Sequence, residues 1–150
     1  MPTSGLPDAL IADTNVVLSA VIGGSASRAF GDPTLPPVYA ASAVRDELLE
    51  WLPQVVAKRG LDLVLHLGLV ALLPITWVEQ SGYARHEAAA RRRMRERDVE
   101  DWPSVALPLA LAESRSVAIW TNDRDVSASG LPTITTARLL ATLDRRSRQP

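Results

Sequence analysis

Four short apolar runs, Ala9 to Ala12, Val38 to Ala41, Ile75 to Val78 and Val117 to Trp120, and a short edge strand, Thr133 to Thr135, alternate with stretches of helical spacing. This alternation constrains the chain more than any other feature. It predicts an α/β domain in three layers, with a central parallel sheet of four to five strands flanked by helices.

The helical segments carry their own signals. A helix beginning at Val16 to Ala20 loses its pattern in Gly23-Gly24-Ser25 and in the proline-rich loop from Asp32 to Pro37. Ser42 is placed to cap a second helix, with Val44, Leu48, Trp51 and Val55 as its core stripe and Gly60 at its end. Leu61 to Leu73 reads as a third helix, stopped by Pro74. A charged helix is expected from about Glu79 to Arg97. An apolar one follows over Ser104 to Ala112, with Pro103 in its first turn and Pro108 as an interior kink. Thr136 caps a last helix to about Asp144, and a flexible tail covers 145–150. No repeat or linker divides the 150 residues, so a single domain over 1–150 is expected.

Composition removes several classes of function. Without cysteine there is no disulfide framework, no thiolate metal site and no cysteine nucleophile. The N-terminus lacks a basic start and a long apolar run, so it does not read as a secretory signal. The longest apolar stretch, Leu61 to Leu73, is too short for a bilayer, which needs ~20 residues. A cytoplasmic protein with no membrane association is the expectation. The formal net charge of −1 is uninformative, yet all basic residues but Lys58 are arginine, and Arg85 to Arg97 is dense in them.

The acids carry the chemistry. Asp13 and Asp123 directly follow apolar strands, where ligands sit in parallel sheets, beyond the carboxyl ends and near a reversal of strand order. Glu47, Asp98 and Asp101 lie on or near the starts of helices that follow loops on the same edge, and Asp125 is two residues past Asp123. Two like charges ~5 Å apart repel by about 3 kcal/mol at an effective dielectric of ~20. A cluster of four therefore needs a counter-charge, and the lone lysine, Lys58, lies on a distant part of its helix. Mg²⁺ or Mn²⁺ is the natural one, because hard cations prefer carboxylate and water oxygens. Each acid alone has a plainer reading as a cap, a turn former or a solvated helix residue. Their spacing along the whole chain carries the argument.

Three other α/β readings fail on particular residues. A phosphoacceptor receiver domain needs an acidic pair at the first strand and a late lysine, and a haloacid-dehalogenase-like phosphatase needs an acid where Asn15 stands. No G-x-G-x-x-G follows the first strand, which removes the dinucleotide-binding reading.

The segments I-A-D-T-N-V-V-L-S-A, S-A-V-R-D-E-L-L-E, R-D-V-E-D-W-P-S-V-A-L-P-L-A-L and I-W-T-N-D-R-D-V resemble, in order, the four acidic motifs of PIN-domain nucleases, over residues 9 to 140. The resemblance implies a Rossmann-like PIN fold and a metal-dependent endoribonuclease. It implies Mg²⁺ or Mn²⁺ held by Asp13, Glu47, Asp101 and Asp123, with Asp98 and Asp125 as supporting acids. Asn15 and Thr121 would be polar groups that orient carboxylates and water. It further implies an RNA substrate, a homodimer and, for VapC-type toxins, a small antitoxin partner. A non-toxin RNA-processing nuclease and a catalytically silent interaction module are the alternatives. Val126 stands where the family often has phenylalanine, and Pro108 where a helix former is expected.

Arg91, Arg92 and Arg95 are candidate substrate contacts, positioning an RNA backbone without reading its sequence. Spaced ~100° apart, neighbouring arginines here wrap the helix and do not share one face, so a solvated helix is the plain alternative. Trp77, Tyr83 and Trp102 are candidates for base stacking, with core packing as the simpler reading. His66, in an apolar helix, reads as structural.

Overall fold

The computed structural model describes residues 5–94 and 99–149. Strands β1 (Ala9–Ala12), β2 (Val38–Ala41), β3 (Ile75–Val78), β4 (Val117–Trp120) and β5 (Thr133–Ile134) form one sheet in the order β3-β2-β1-β4-β5. Every pairing is parallel, with Leu10 opposite Val38 on one side of β1 and Ala118 on the other. All four residues of β1 and of β4 are buried, which is why these strands are apolar throughout and do not alternate. At the β3 edge only Ile75 is buried.

Helices flank the sheet in two groups. One comprises α1 (Thr14–Val21), α2 (Ser25–Phe30), α3 (Ser42–Lys58), α4 (Leu63–Leu72) and α7 (Thr136–Ser147), packed through α1 against α2 and α3, α3 against α4, and α2 against α7. The other comprises α5 (Glu87–Met94) and α6 (Pro103–Leu111), which pack together while α6 also meets β2 and β4. The strand order reverses beside β1, because the chain moves from β1 outward through β2 and β3 and then returns to β4 on the other flank. A crevice at the carboxyl ends of β1 and β4 follows from that topology.

Several expectations need correction. Helix α2 was hidden behind Gly23-Gly24, and Gly24 serves as its N-cap. Ser42 is the first residue of α3 and makes no capping bond; Ala41 occupies the cap. The buried stripe of α3 is Val44, Leu48, Leu52 and Val56, while Trp51 is 45% exposed. A strict four-residue step keeps the stripe on the sheet side, and Trp51 falls off it. The end of α3 behaves as expected: Gly60 takes φ +65, and Leu61 N–H donates to Val56 O at 2.9 Å, closing the last turn.

The segment expected as one long helix from Glu79 opens instead with two 3-10 turns, Gln80–Gly82 and Ala84–His86, before α5. Thr135, not Thr136, caps α7 by accepting from Arg138 N–H at 3.2 Å, and the helix continues to Ser147. Thr136 has a different use, described below. No helix among the described residues is long and apolar enough to cross a membrane.

Candidate metal centre at the sheet edge

Asp13 follows β1 and caps α1. Its Oδ1 accepts from Val16 N–H at 2.8 Å, satisfying one of the orphan amides of the first turn. Its Oδ2 accepts from the hydroxyl of Thr121, the residue after β4. The Thr121 side chain is buried, and its Oγ1 in turn accepts from Asp123 N–H at 3.0 Å. One hydroxyl thus ties the carboxylate after β1 to the backbone of the acid after β4, across 108 residues of sequence.

The turn after β4 is braced further. Asn122 Oδ1 accepts from Thr136 N–H at 2.9 Å, and the Thr136 hydroxyl accepts from Asn122 Nδ2 at 3.2 Å and from Trp120 Nε1 at 2.9 Å. The start of α7 therefore fixes the segment leading into Asp123. Trp120 is fully buried against Phe30 of α2, with ring centroids 5.2 Å apart.

Glu47 sits half-buried on α3, one residue before the buried Leu48. Thr14, in the first turn of α1, lies beside its carboxyl and favours the charged form. Asp101 ends the 3-10 turn Val99–Asp101, just before Trp102 and Pro103 open α6. A small hollow lies beside Asp13, lined by Ala12, Ala41, Val44, Pro103 and Ser104. Ser104 belongs to the first turn of α6, three residues after Asp101.

The acids influence one another. Burial, more than any other cause, pushes the Asp13 carboxyl above the ordinary carboxylate value, and Asp123 adds in the same direction. The bonds from Thr121, Val16 and the Asn15 amide oppose that rise. Glu47 is also raised, first by burial and then by Asp101, with Asp13 and Glu50 contributing and Thr14 opposing. Asp13 thus feels Asp123, and Glu47 feels Asp101 and Asp13. Among the described residues, however, no three acidic or histidine side chains form a ready-made ion cage. Asp101 and Asp123 are exposed, and the four acids share one edge as a loose group.

The donor chemistry fits a hard divalent ion. All four groups offer carboxylate oxygens, the Thr121 hydroxyl meets Asp13, Thr14 lies beside Glu47, and the hollow beside Asp13 is lined by neither sulfur nor imidazole. Buried, mutually repelling carboxyls with raised pKa values are stabilised in their charged form by such an ion.

Other expected site residues fall differently. Asp98 and Arg95 lie outside the described residues, as does the side chain of Asp125, whose backbone belongs to the 3-10 segment Arg124–Ser129. The Asn15 residue is exposed, and its amide, not its side chain, is the group that reaches Asp13. Arg91 pairs with Glu87 at 3.1 Å and lies 5.8 Å from the Trp102 ring centroid. Arg92 is exposed, and Arg93 donates to Ser129 O at 3.0 Å. Tyr83 and Trp102 are buried and packed on each other, so they serve the core; Trp77 is half-buried under the Arg45 guanidinium. His66 is buried, with Nδ1 2.6 Å from Asp62 O, a structural contact.

Sequence reasoning missed Thr14, Asn122, Ser104 and Thr136. Thr14 and Asn122 stand directly beside recognised acids, but short polar residues there carry no periodic signal. Only the D-T-N and T-N-D triplets themselves pointed to them.

A family model described as PIN domain matches residues 11–144. No curated protein matches the chain at a significant level.

Proposed function

We propose, on the premise that the chain belongs to the PIN-domain family, that it is a divalent-metal-dependent endoribonuclease. Family membership itself carries a nuclease-type function and nucleic acid as the class of substrate. The finer reading rests on one observation: the Thr121 hydroxyl joins Asp13 to the Asp123 turn, while Glu47 feels the charge of both Asp101 and Asp13.

In this reading Asp13, Glu47, Asp101 and Asp123 hold Mg²⁺ or Mn²⁺, with Asp98 and Asp125 in support. Such an ion supplies positive charge that stabilises a phosphoryl oxyanion and makes water a better nucleophile. The chain's own part is to orient and to desolvate. Asp13 is held at both oxygens, so its carboxylate cannot rotate away from the crevice. Thr14, beside the Glu47 carboxyl, favours its charged form. The apolar walls from Ala12, Ala41 and Val44 lower the local dielectric, which strengthens the hold of carboxylate on cation. Arg92, exposed on α5, and Arg91 and Arg95 on the same stretch are the candidate contacts to the RNA backbone.

The resemblance to VapC-type proteins favours a toxin held by a small antitoxin, and a homodimer. A housekeeping RNA-processing role uses the same site. The test is cleavage of total RNA and of single-stranded DNA with Mn²⁺, with Mg²⁺ and with chelator, alongside Asp13→Asn. Metal-dependent RNA cleavage lost in Asp13→Asn supports the reading. Metal binding without cleavage of either nucleic acid would favour a silent interaction module.

A further inference from the structure

The carboxyl edge of the sheet carries an arginine as well as acids. Arg45 stands in the first turn of α3, two residues before Glu47. At ~100° per residue the two side chains leave the helix on nearly opposite flanks, Glu47 toward α1 and Arg45 toward β3. Arg45 Nη2 donates to Oε1 of Glu79, the residue after β3, at 3.3 Å, and the guanidinium rests over Trp77, 5.7 Å from the ring centroid. Val44, the residue before Arg45, lines the hollow beside Asp13. The register sets Trp77 at the same height. Ile11 pairs with Tyr39, which puts Ala12 level with Ala40, and Ala40 pairs with Trp77. Trp77 is therefore two strand spacings, about 10 Å, from the residue before Asp13.

We propose that Arg45, resting on Trp77, is a phosphate-binding subsite for a single-stranded segment of RNA next to the metal centre, with Glu79 holding the guanidinium until the strand arrives. The inference deepens the nuclease reading above and rests on it. Electrostatics supplies the first reason. A group of carboxylates repels a polyanion everywhere except at the bound ion, so a strand docks more readily where a second cation flanks the acids. Arg45 places one on the β3 flank.

The chemistry of the group is the second reason. A guanidinium matches phosphate with a planar fork, and stacking on an indole orients the fork before the ligand comes. The present partner is the third. Glu79 makes a single contact with its side chain 68% exposed, and such pairs are held weakly. Arg85 and Arg115 are engaged differently: the first donates to Glu113 at 2.8 Å and to Gly82 O at 3.1 Å, the second to the Tyr39 hydroxyl at 2.7 Å. An unpaired base beside the bound phosphate finds a flat surface in the guanidinium, which favours a single strand over a duplex.

The test is fluorescence anisotropy of a short labelled single-stranded RNA on Asp13→Asn protein, with Arg45→Ala and Glu79→Gln added singly, over a series of KCl concentrations. Mn²⁺-dependent cleavage by protein with Asp13 intact is followed in parallel. Both side chains reach solvent, so the folds persist, and circular dichroism verifies this. Arg45→Ala should weaken binding about three- to fivefold and lower the salt slope by about 0.7, the share of one single-strand phosphate. Glu79→Gln should tighten binding about two- to fivefold, because the guanidinium is released to the RNA. A mere brace between α3 and β3 loses the same contact in either variant, so opposite signs support the subsite. Unchanged affinity and slope in Arg45→Ala, weakening in both variants, or no RNA binding at all would overturn it. A matched duplex bound as tightly as the single strand would overturn the single-strand assignment. Cleavage that persists when Arg45→Ala has no effect sinks this subsite alone, whereas Arg45-dependent binding without cleavage by the intact protein keeps the subsite and sinks the nuclease reading.

Discussion

Replacing Thr121 by valine isolates the bridge between the two strand-end acids. Valine keeps the volume and the β-branching that suit a residue emerging from a strand. It removes the hydroxyl that donates to Asp13 Oδ2 and accepts from Asp123 N–H at 3.0 Å. A hydrogen bond to a charged group contributes about 1.5–3 kcal/mol and a neutral one about 0.5–1.5 kcal/mol. Asp123 is exposed, so water recovers most of its share, whereas the Asp13 oxygen is set deeper and recovers less. The net loss is therefore about 2–3 kcal/mol, a fall in Tm of about 4–12 °C for a chain of this size. The assay is thermal and urea unfolding in chelator, followed by Mn²⁺ titration. Removing such an orienting partner typically weakens a metal site 10–100-fold. A Thr121→Val protein that melts within about 1 °C of wild type and binds Mn²⁺ equally well would refute the bridge, given these magnitudes.

Three further outcomes follow from the same geometry. Because burial raises the Asp13 pKa, the folded protein holds that proton more tightly than the unfolded chain does, so metal-free stability should fall as pH rises from the ordinary carboxylate value of 3.8 through the raised folded value; Asp13→Asn should flatten this part of a pH series of urea melts, and an unchanged slope would contradict it. Glu47→Gln removes repulsion with Asp101 and Asp13, so it should leave the metal-free protein at least as stable while weakening Mn²⁺ binding, and destabilisation in chelator would count against the coupling. Arg92→Ala should lower the salt-dependence slope of RNA binding by about one, whereas Arg91→Ala, whose guanidinium already engages Glu87 and Trp102, should change it less; equal slopes for both variants and wild type would remove α5 from the RNA surface.

The sheet was legible because its signal is local. Ala9–Ala12 and Val117–Trp120 are apolar at every position since both of their faces are covered, and such runs stand out in sequence. Helix α4 was legible from its apolar run and from Pro74 as its stop, but it starts at Leu63, two residues later than expected, with Asp62 as its cap, whose Oδ1 accepts from Leu65 N–H at 2.9 Å. What lay hidden depends on tertiary contact. Helix α2 is six residues long and follows two glycines, too short for periodicity to register. Trp51 looked like core by composition, but the four-residue step from Val44 to Val56 leaves it at the surface. The resemblance pointed to the acids and to Thr121, whereas Thr14 and Asn122 carried no signal of their own. Thr121 meets Asp13 from 108 residues away, and Thr14 lies beside Glu47 from another helix. Whether a side chain of that kind caps, bridges or faces water is decided by which strands lie adjacent, and the order β3-β2-β1-β4-β5 is what sets Thr121 beside Asp13.

In the proposed site, carboxylates from four separate segments hold a divalent ion at the ends of β1 and β4. Calorimetric titration of Mn²⁺ into wild type and into Asp13→Asn and Asp123→Asn tests it most directly. Saturable binding in wild type, weakened in both variants while their folds persist, is the expected result. Heats that are the same in all three proteins, or absent from wild type, would contradict it.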